Sequence, residues 1–293
     1  MRSDGPGLTR IAAQGALIAT GSGLLVAAGE GHVGSLPATG ALAMLALLHV
    51  AMFAALHESG HRTAFASRVL NDRVSWFAAL FTLYTPSLFR AFHFAHHRHT
   101  HQVGLDPELE DPPPSDLRSY LLEISGIPWW IGKLRGHWRG LRADFRSCPY
   151  IPPAAAAAVS RSIRRQFAVY GLLLILSLPY ANGLLLWLWL LPLALAQPLL
   201  RWVLLAEHGG CPCVADPLAN TRTTLTLAPL RLLMWNMPFH AEHHLFPSLP
   251  FHALPQAHRL LKSRLQHCDR GYLAVHRHLL AHPGQLSLPV GLR

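Results

Sequence analysis

Three short segments of the sequence carry histidines at helical spacing. They read HESGH at residues 57–61, HFAHH at 93–97 and HAEHH at 240–244. Residues three or four positions apart share one face of a helix, so each segment can turn two or three imidazoles toward one point. Imidazole binds iron, zinc, copper and nickel. The spacing therefore predicts a metal centre whose ligands are His57, His61, His93, His96, His97, His240, His243 and His244.

The number of imidazoles indicates how many metal ions are held. One catalytic zinc takes about three protein ligands, so this set of histidines suits two metal ions better. His208 ends an apolar segment in LLAEHGG, and we predict it as a further ligand. His99 and His101 are predicted to lie outside the ligand set. Glu207 is a candidate for orienting an imidazole, and Glu242 is either a second such group or a surface carboxylate.

Two other kinds of protein would use part of this pattern. Because Glu58 follows His57, HESGH also fits the HExxH signature of zinc hydrolases, in which the glutamate activates a metal-bound water. That interpretation leaves the other two segments without a role. A metal transporter should place polar or ionisable residues at the middle of its spans, where this chain offers only His49 and Gln197. Both alternatives stay open beside the two-metal prediction.

The composition is typical of an integral membrane protein. Of the 293 residues, 51% are hydrophobic and 14% are charged, whereas soluble domains average about 25% charged. The mean hydropathy is +0.25. Helices of about 20 residues span the ~30 Å hydrocarbon core. We predict an all-α membrane protein, a single domain over residues 1–293, with two transmembrane hairpins. Its four spans are predicted at residues 11–29, 37–56, 166–181 and 184–200.

The positions of the 25 Lys and Arg residues predict the orientation. None lies in the loops at residues 30–36 and 179–183, and cytoplasmic loops are the ones rich in Lys and Arg. Both hairpin tips are therefore predicted outside, with both termini in the cytoplasm. A cytoplasmic helical cap, residues 57–165 and 201–293, would carry every histidine segment. We expect a bacterial inner-membrane protein with a cytoplasmic active site.

Two further apolar stretches are predicted to stay at the membrane surface. Residues 74–92 contain Pro86 and Arg90, and a crossing there would put the first two histidine segments on opposite sides of the membrane. Residues 223–239 also contain prolines and an arginine. Both stretches are interpreted as interfacial or re-entrant. Residues 104–116, GLDPELEDPPPSD, are acidic and proline-rich and are predicted to form a surface loop.

The net charge of +10 limits the partners. A basic excess suits nucleic acid, anionic lipid or an acidic protein. The chain has no nucleic-acid motif, and its basic residues flank apolar segments, so lipid headgroups and an acidic electron carrier are the predicted partners. Residues 133–146, KLRGHWRGLRADFR, include Arg135, Arg139 and Arg142. These arginines would bind either the carrier or lipid headgroups.

The histidine segments and their surroundings resemble the membrane fatty acid desaturase superfamily, which includes hydroxylases and carotenoid oxygenases. The resemblance covers the chain from about residue 50 to 260 and rests on HESGH, HFAHHRHTHQVGLDPE, AEHGG, NTRTT and MWNMPFHAEHHLFPSLPFHALP. A first segment of the form HxxxH is similar to that of acyl-lipid desaturases rather than enzymes acting on acyl-coenzyme A. Carotenoid hydroxylases and ketolases remain open.

The resemblance implies a non-haem centre of two irons, held by the histidines of the three segments with His208 as the ninth ligand. It implies that O2 and two electrons serve to desaturate or hydroxylate an unactivated C–H bond of a fatty acyl or other lipid chain. The electrons are expected from a separate protein such as a ferredoxin or rubredoxin, because the sequence contains no electron-carrier domain.

Overall fold

The structure is a computed structural model, and it is almost entirely helical. It describes residues 2–110, 113–178 and 183–282. The α-helices are α1 (Asp4–Gly29), α2 (Ser35–Gly60), α3 (Arg68–Thr82), α4 (Pro86–His99), α5 (Leu117–Ile124), α6 (Ile127–Leu141), α7 (Pro153–Ser177), α8 (Leu191–His208), α9 (Pro217–Asn220), α10 (Ala228–Leu233), α11 (His240–Leu245), α12 (Leu254–Leu261) and α13 (Tyr272–Ala281). A π-helical turn (Leu186–Leu190) precedes α8, and the two strands are β1 (Thr223–Leu225) and β2 (Cys268–Arg270).

The helices α1 and α2 form the first hairpin. Each has 26 residues, which at ~1.5 Å per residue exceeds the ~30 Å hydrocarbon core. The predicted spans at residues 11–29 and 37–56 lie inside these two helices. The Asp4 side chain accepts a hydrogen bond from the backbone N–H of Ser67 at 2.9 Å. The start of α1 therefore lies beside the segment that follows α2.

A third membrane-length helix is the segment Leu186–His208, which joins the π-helical turn to α8. It has 23 residues and covers nearly all of the predicted span at residues 184–200. With α1 and α2, it makes three helices in the described part of the chain that are long and apolar enough to cross a membrane.

The predicted span at residues 166–181 has no such helix. It overlaps the second half of α7, whose first half carries Arg161, Arg164 and Arg165. Residues 179–182, which belong to the predicted hairpin turn, lie outside the described residues. Three apolar helices are therefore established, and the fourth span stays a prediction.

The apolar stretch at residues 74–92 is divided between two helices. The chain breaks between α3 and α4, where Leu83 adopts a left-handed conformation with φ 52° and Pro86 begins α4. The two helices have 15 and 14 residues, fewer than the roughly 20 that a spanning helix needs. Because α3 packs along α2, the break turns α4 back toward the end of α2.

The stretch at residues 223–239 forms a strand, a short helix and an irregular turn. The strand β1 pairs in parallel with β2, with Thr223 opposite Cys268 and Leu225 opposite Arg270. The all-α prediction is wrong in this detail. Three-residue strands are too short to show the alternation from which a strand is predicted.

This small sheet is connected to the end of α8. Arg222, just before β1, is buried and donates hydrogen bonds to the carbonyl oxygens of Ala206 and Gly209 at 2.9 and 2.7 Å. Its guanidinium also lies 2.9 Å from the carboxylate of Asp269 in β2. The last carbonyls of a helix lack partners within the helix, so Arg222 both satisfies them and positions His208.

The helix α2 lies at the centre of the molecule. Between Leu45 and Gly60, every residue except Leu47 is buried, and the helix packs against α1, α3 and α8. His57 and Glu58 therefore enter the core at its end. Burying ionisable side chains costs free energy unless they find partners, so the position of His57 and Glu58 in the core indicates a functional role.

Candidate metal centre

The structure brings all nine predicted histidines together at one end of the apolar helices. They come from four elements that are distant in sequence. Helix α2 and the residue that caps its C-terminus carry His57 and His61, and α4 carries His93, His96 and His97. Helix α8 carries His208, and α11 carries His240, His243 and His244. The neighbouring His99 and His101 lie outside both groups described below.

Five of these side chains form what we call the first group. Its members are His57, His61, His93, His97 and His243, and their ligand atoms all lie within 4.8 Å of one another. The Nε2 atom of His97 is 3.0 Å from that of His93 and 3.1 Å from that of His243. The Nε2 atoms of His243 and His61 are 3.2 Å apart. The ring nitrogens thus converge on one point.

The remaining four side chains form the second group. His96, His208 and His244 have ligand atoms within 4.8 Å of one another. The Nε2 atom of His240 lies 3.2 Å from that of His208 and 3.1 Å from that of His244, so we include His240. The two groups adjoin, because the rings of His97 and His244 stack with centroids 4.1 Å apart.

The donor set fits two metal ions. Burial holds the pKa values of His93, His97, His240, His243 and His244 well below the ordinary value, and neighbouring histidines lower them further. The rings are therefore neutral and able to bind a metal. Metal–nitrogen bonds of about 2.1 Å place adjacent ligand nitrogens about 3 Å apart, which matches the observed separations. Several converging imidazoles cannot all satisfy one another by hydrogen bonds, whereas a cation satisfies each of them.

Carboxylates accept hydrogen bonds from the Nδ1 side of two of the rings. The Nδ1 atom of His57 lies 2.9 Å from Oε1 of Glu58, and Nδ1 of His96 lies 3.0 Å from Oδ1 of Asp106. A ring that donates from Nδ1 keeps the lone pair of Nε2 for a metal. The buried Nε2 atom of His57 has no hydrogen-bond partner in the described part of the chain. The position of Glu58 thus favours metal binding through Nε2.

Neutral oxygen acceptors hold two further rings. Nδ1 of His208 lies 3.1 Å from the backbone oxygen of Asn220, and Nδ1 of His244 lies 3.2 Å from the hydroxyl of Thr100. That hydroxyl donates its own hydrogen to the backbone oxygen of His96 at 2.8 Å. Its oxygen is therefore left to accept from His244, which fixes the tautomer of this ring.

The position of Asp106 corrects one prediction. Residues 104–116 were expected to form a surface loop, yet Asp106 is buried and accepts a hydrogen bond from the backbone N–H of His101 at 2.8 Å. Burial alone would lower the pKa of His96, but the nearby carboxylates of Glu108 and Asp106 outweigh it, and the pKa is raised. No spacing rule identifies this aspartate. A signal was present, because it is the first acidic residue after the second histidine segment.

Glu242 lies between two predicted ligands but orients neither. Its carboxylate accepts from Nδ1 of His258 at 2.6 Å and from the hydroxyl of Thr223. It is fully buried, so the alternative of a surface carboxylate is also wrong. Glu242 instead ties α11 to α12 and β1.

The geometry argues against a zinc hydrolase. In HExxH hydrolases, the glutamate must reach a metal-bound water. Here Glu58 is bonded to Nδ1 of His57, on the side of the ring away from the converging Nε2 atoms. His57 and His61 also converge with three other imidazoles, more than the usual three ligands of a catalytic zinc.

An aromatic layer covers one side of the first group. Phe53 and Phe89 lie one helical turn before His57 and His93, and the ring of Phe89 stacks on that of His93 with centroids 5.2 Å apart. Phe53 contacts Phe89 at 5.7 Å. Tyr84, from the break between α3 and α4, contacts the two phenylalanine rings at 5.5 and 5.3 Å. These rings give the first group an apolar boundary on that side.

Comparison with known proteins agrees with this site. The fatty acid desaturase family matches residues 34–276 of the chain, which include all nine histidines. A beta-carotene 4-ketolase from Protosiphon botryoides is 32% identical over 97 residues. That similarity covers 29% of this chain and 25% of the ketolase, so the chain matches about a quarter of that relative's length.

Proposed function

Since the chain belongs to the fatty acid desaturase family, we propose that it is an O2-dependent oxidoreductase that desaturates or hydroxylates an unactivated C–H bond of a fatty acyl or other lipid chain. The observation that carries the proposal is the convergence of nine imidazoles in two adjoining groups at the end of apolar helices. The geometry suits two metal ions, and the family indicates iron.

Each group would hold one iron. The first group supplies His57, His61, His93, His97 and His243, and the second supplies His96, His208, His240 and His244. When bound, the irons supply the reduction of O2 and the oxidising power that removes hydrogen from the lipid. Imidazoles are neutral ligands, so the protein leaves the high positive charge of the metals in place.

The surrounding side chains position and protect this chemistry. Phe53 and Phe89 keep water away from the first group and give the acyl chain an apolar surface to lie against. Glu58 and Asp106 hold the ring nitrogens of His57 and His96 in the orientation that metal binding needs. The placement of the target carbon against the imidazoles then decides between an alkene and an alcohol as product.

The proposal is tested by metal content and lipid product together. Protein purified from an iron-replete host should contain close to two irons per chain. Host lipids should gain an oxidised product that a His97→Ala variant does not make. A single zinc per chain, retained in a His240→Ala variant, would refute the proposal and revive the hydrolase.

Oxidation of a carotenoid ring is the second candidate. The similarity to the ketolase supports it, because that protein's name gives beta-carotene as its substrate. Expression in a host that makes β-carotene separates the candidates. New keto or hydroxy carotenoids with unchanged acyl lipids would favour the second candidate over the first.

We also propose that the site faces the cytoplasm of a bacterial inner membrane. The end of α2 and the end of α8 both carry ligands of the cluster, and the start of α1 lies beside the end of α2. The Lys- and Arg-free loop at residues 30–36 would then face outward. Reporter fusions at residue 34, residue 110 and the C-terminus should report outside, inside and inside. An outside signal at residue 110 would contradict this orientation.

Two electrons per turnover would come from a separate carrier such as a ferredoxin or rubredoxin. The exposed arginines Arg135, Arg139 and Arg142 are one possible docking place. However, they flank an exposed apolar row on α6, formed by Ile127, Ile131, Leu134 and Trp138. A helix with an apolar row beside basic residues is typical of the membrane interface. We therefore assign these arginines to anionic lipid headgroups and the carrier to another face.

A further inference from the structure

A group of hydrogen-bond donors lies on the far side of the aromatic layer. The hydroxyl of Tyr84 accepts hydrogen bonds from Nε1 of Trp129 at 3.0 Å and from the guanidinium of Arg201 at 3.5 Å. The ammonium group of Lys133 lies over the ring of Tyr84, 3.3 Å from its centroid. Three elements, α6, α8 and the α3–α4 break, thus direct polar groups to one place.

The two cations of this group differ in how far they are neutralised. The guanidinium of Arg201 lies 4.0 Å from the carboxylate of Glu123 and also interacts electrostatically with Glu108 and Glu207, whereas no described carboxylate lies within ion-pair distance of Lys133. The Nε atom of Arg201 is buried and has no hydrogen-bond partner among the described residues. Burial, followed by the charge of Arg201, holds the pKa of Lys133 well below its ordinary value. Buried donors without acceptors cost free energy, and an anion bound between them would recover it.

The cluster of Tyr84, Lys133 and Arg201 lies within the length of an acyl chain from the imidazoles. Arg201 precedes His208 by two turns of α8, which is about 10 Å. Tyr84 packs directly on Phe53 and Phe89, which lie one turn before His57 and His93. A lipid whose anionic end lay at Lys133 could run along this aromatic layer and bring a carbon further along its chain to the first group.

We propose that Lys133, Arg201 and Tyr84 bind the anionic end of the acyl substrate and so select which carbon meets the metal centre. The ligand chemistry is an anionic oxygen group, either the carboxylate of a free fatty acid or the phosphate of a phospholipid. The inference rests on the proposed function, since it concerns the substrate of that site. The two cations would provide charge, and the tyrosine hydroxyl would donate its free hydrogen.

The test measures binding, not turnover. Purified protein in a neutral detergent is titrated with a spin-labelled fatty acid and with its methyl ester, and the bound fraction is read by electron paramagnetic resonance. Lys133→Met and Arg201→Met should each weaken binding of the acid by about tenfold or more, because a charge-assisted hydrogen bond is lost. Binding of the ester should stay within about twofold, since it carries no charge to lose.

Controls separate a binding role from a structural one. Arg161→Met removes an exposed cation from α7 and should change neither affinity, whereas Lys133→Arg keeps the charge and should retain acid binding. Equal binding of acid and ester by the wild type, together with unchanged binding of phosphatidic acid in Lys133→Met, would overturn the proposal, as would equal loss of acid and ester in that variant. A spin-labelled phosphatidic acid provides the second arm. Loss of its binding in Lys133→Met, without loss of the free acid, identifies phosphate as the ligand.

The same experiment keeps the two proposals apart. A protein that binds the acid through Lys133 but yields no oxidised lipid and holds no iron would refute the proposed function and leave this inference standing. A protein that holds iron and oxidises acyl lipids, but binds neither anionic ligand through Lys133, would refute the inference alone. Iron content, measured in each variant, shows whether the metal centre is intact.

Discussion

The two groups of imidazoles adjoin each other but differ in the charge around them. Among the described carboxylates, Glu58 is the only one within ion-pair distance of a ring of the first group. Three carboxylates lie near rings of the second group, and they are Asp106 at 3.0 Å and Glu108 at 3.7 Å from His96, and Glu207 at 3.5 Å from His240. Negative charge near a metal site stabilises the bound cation. The second group should therefore hold its metal more tightly.

The two groups also differ in their neighbours on the substrate side. Phe53 and Phe89 lie against the first group, through contacts with His57 and His93. The second group is bordered instead by polar segments, which include Thr100 and Asn220. Under the proposed function, the first group would meet the hydrocarbon and the second would hold its metal in a more polar setting.

The largest effect is expected from removing one ligand from each group. His61→Ala should reduce iron in the first group and His208→Ala in the second, so each variant should retain about one iron per chain. Product formation should fall by more than about 100-fold in both, because both metals are needed. Elemental analysis and lipid profiling measure the two results. His99→Ala, which removes a nearby histidine outside both groups, is the control. Loss of all iron in either variant would show that the groups do not act separately.

An intermediate effect is expected from the carboxylates that orient the rings. Asp106→Asn should weaken metal binding in the second group and Glu58→Gln in the first, each by roughly 10- to 100-fold. Titration with a chelator should remove two irons from the wild type in two steps, and the first group should empty first. Asp106→Asn should bring the steps together, while Glu58→Gln should move them apart. A single step in the wild type would contradict the proposed asymmetry.

The smallest effect is expected on the lipid-facing surface of α6. Replacing Arg135, Arg139 and Arg142 with glutamine should leave the carrier concentration for half-maximal rate within about twofold, because we assign these side chains to lipid headgroups. Each lost contact should weaken association with anionic lipid by about 1 kcal/mol. Turnover assays at varied carrier and salt concentrations provide the measurement. A several-fold rise in the carrier requirement would place the electron donor at α6 instead.

The composition of the cluster was predictable because helical spacing is a local property. An HxxHH segment directs its histidines to one face wherever the helix lies, and all nine predicted residues lie in the cluster. The apolar spans of α1 and α2 were predictable for a similar reason, since length and hydropathy are read directly from the sequence. Whether each histidine binds iron stays a prediction.

The features that sequence could not provide depend on contacts between distant segments. Asp106 reaches His96 because the chain turns back after His101, which has a left-handed conformation with φ 59°. The pairing of β1 with β2 joins residues more than 40 positions apart. The partner of Glu242 proved to be His258, on another helix. Local periodicity contains no information on such pairings.

The contact of Arg222 with the end of α8 has a consequence for the order of assembly. The arginine that holds the carbonyls beside His208 is itself held by Asp269, near the far end of the described chain. During synthesis, the first two histidine segments emerge long before this aspartate. The contacts that hold the end of α8 beside His208 can therefore be completed only after the strand β2 has been made and paired. Under the proposed function, insertion of the second iron would then be a late event of biogenesis.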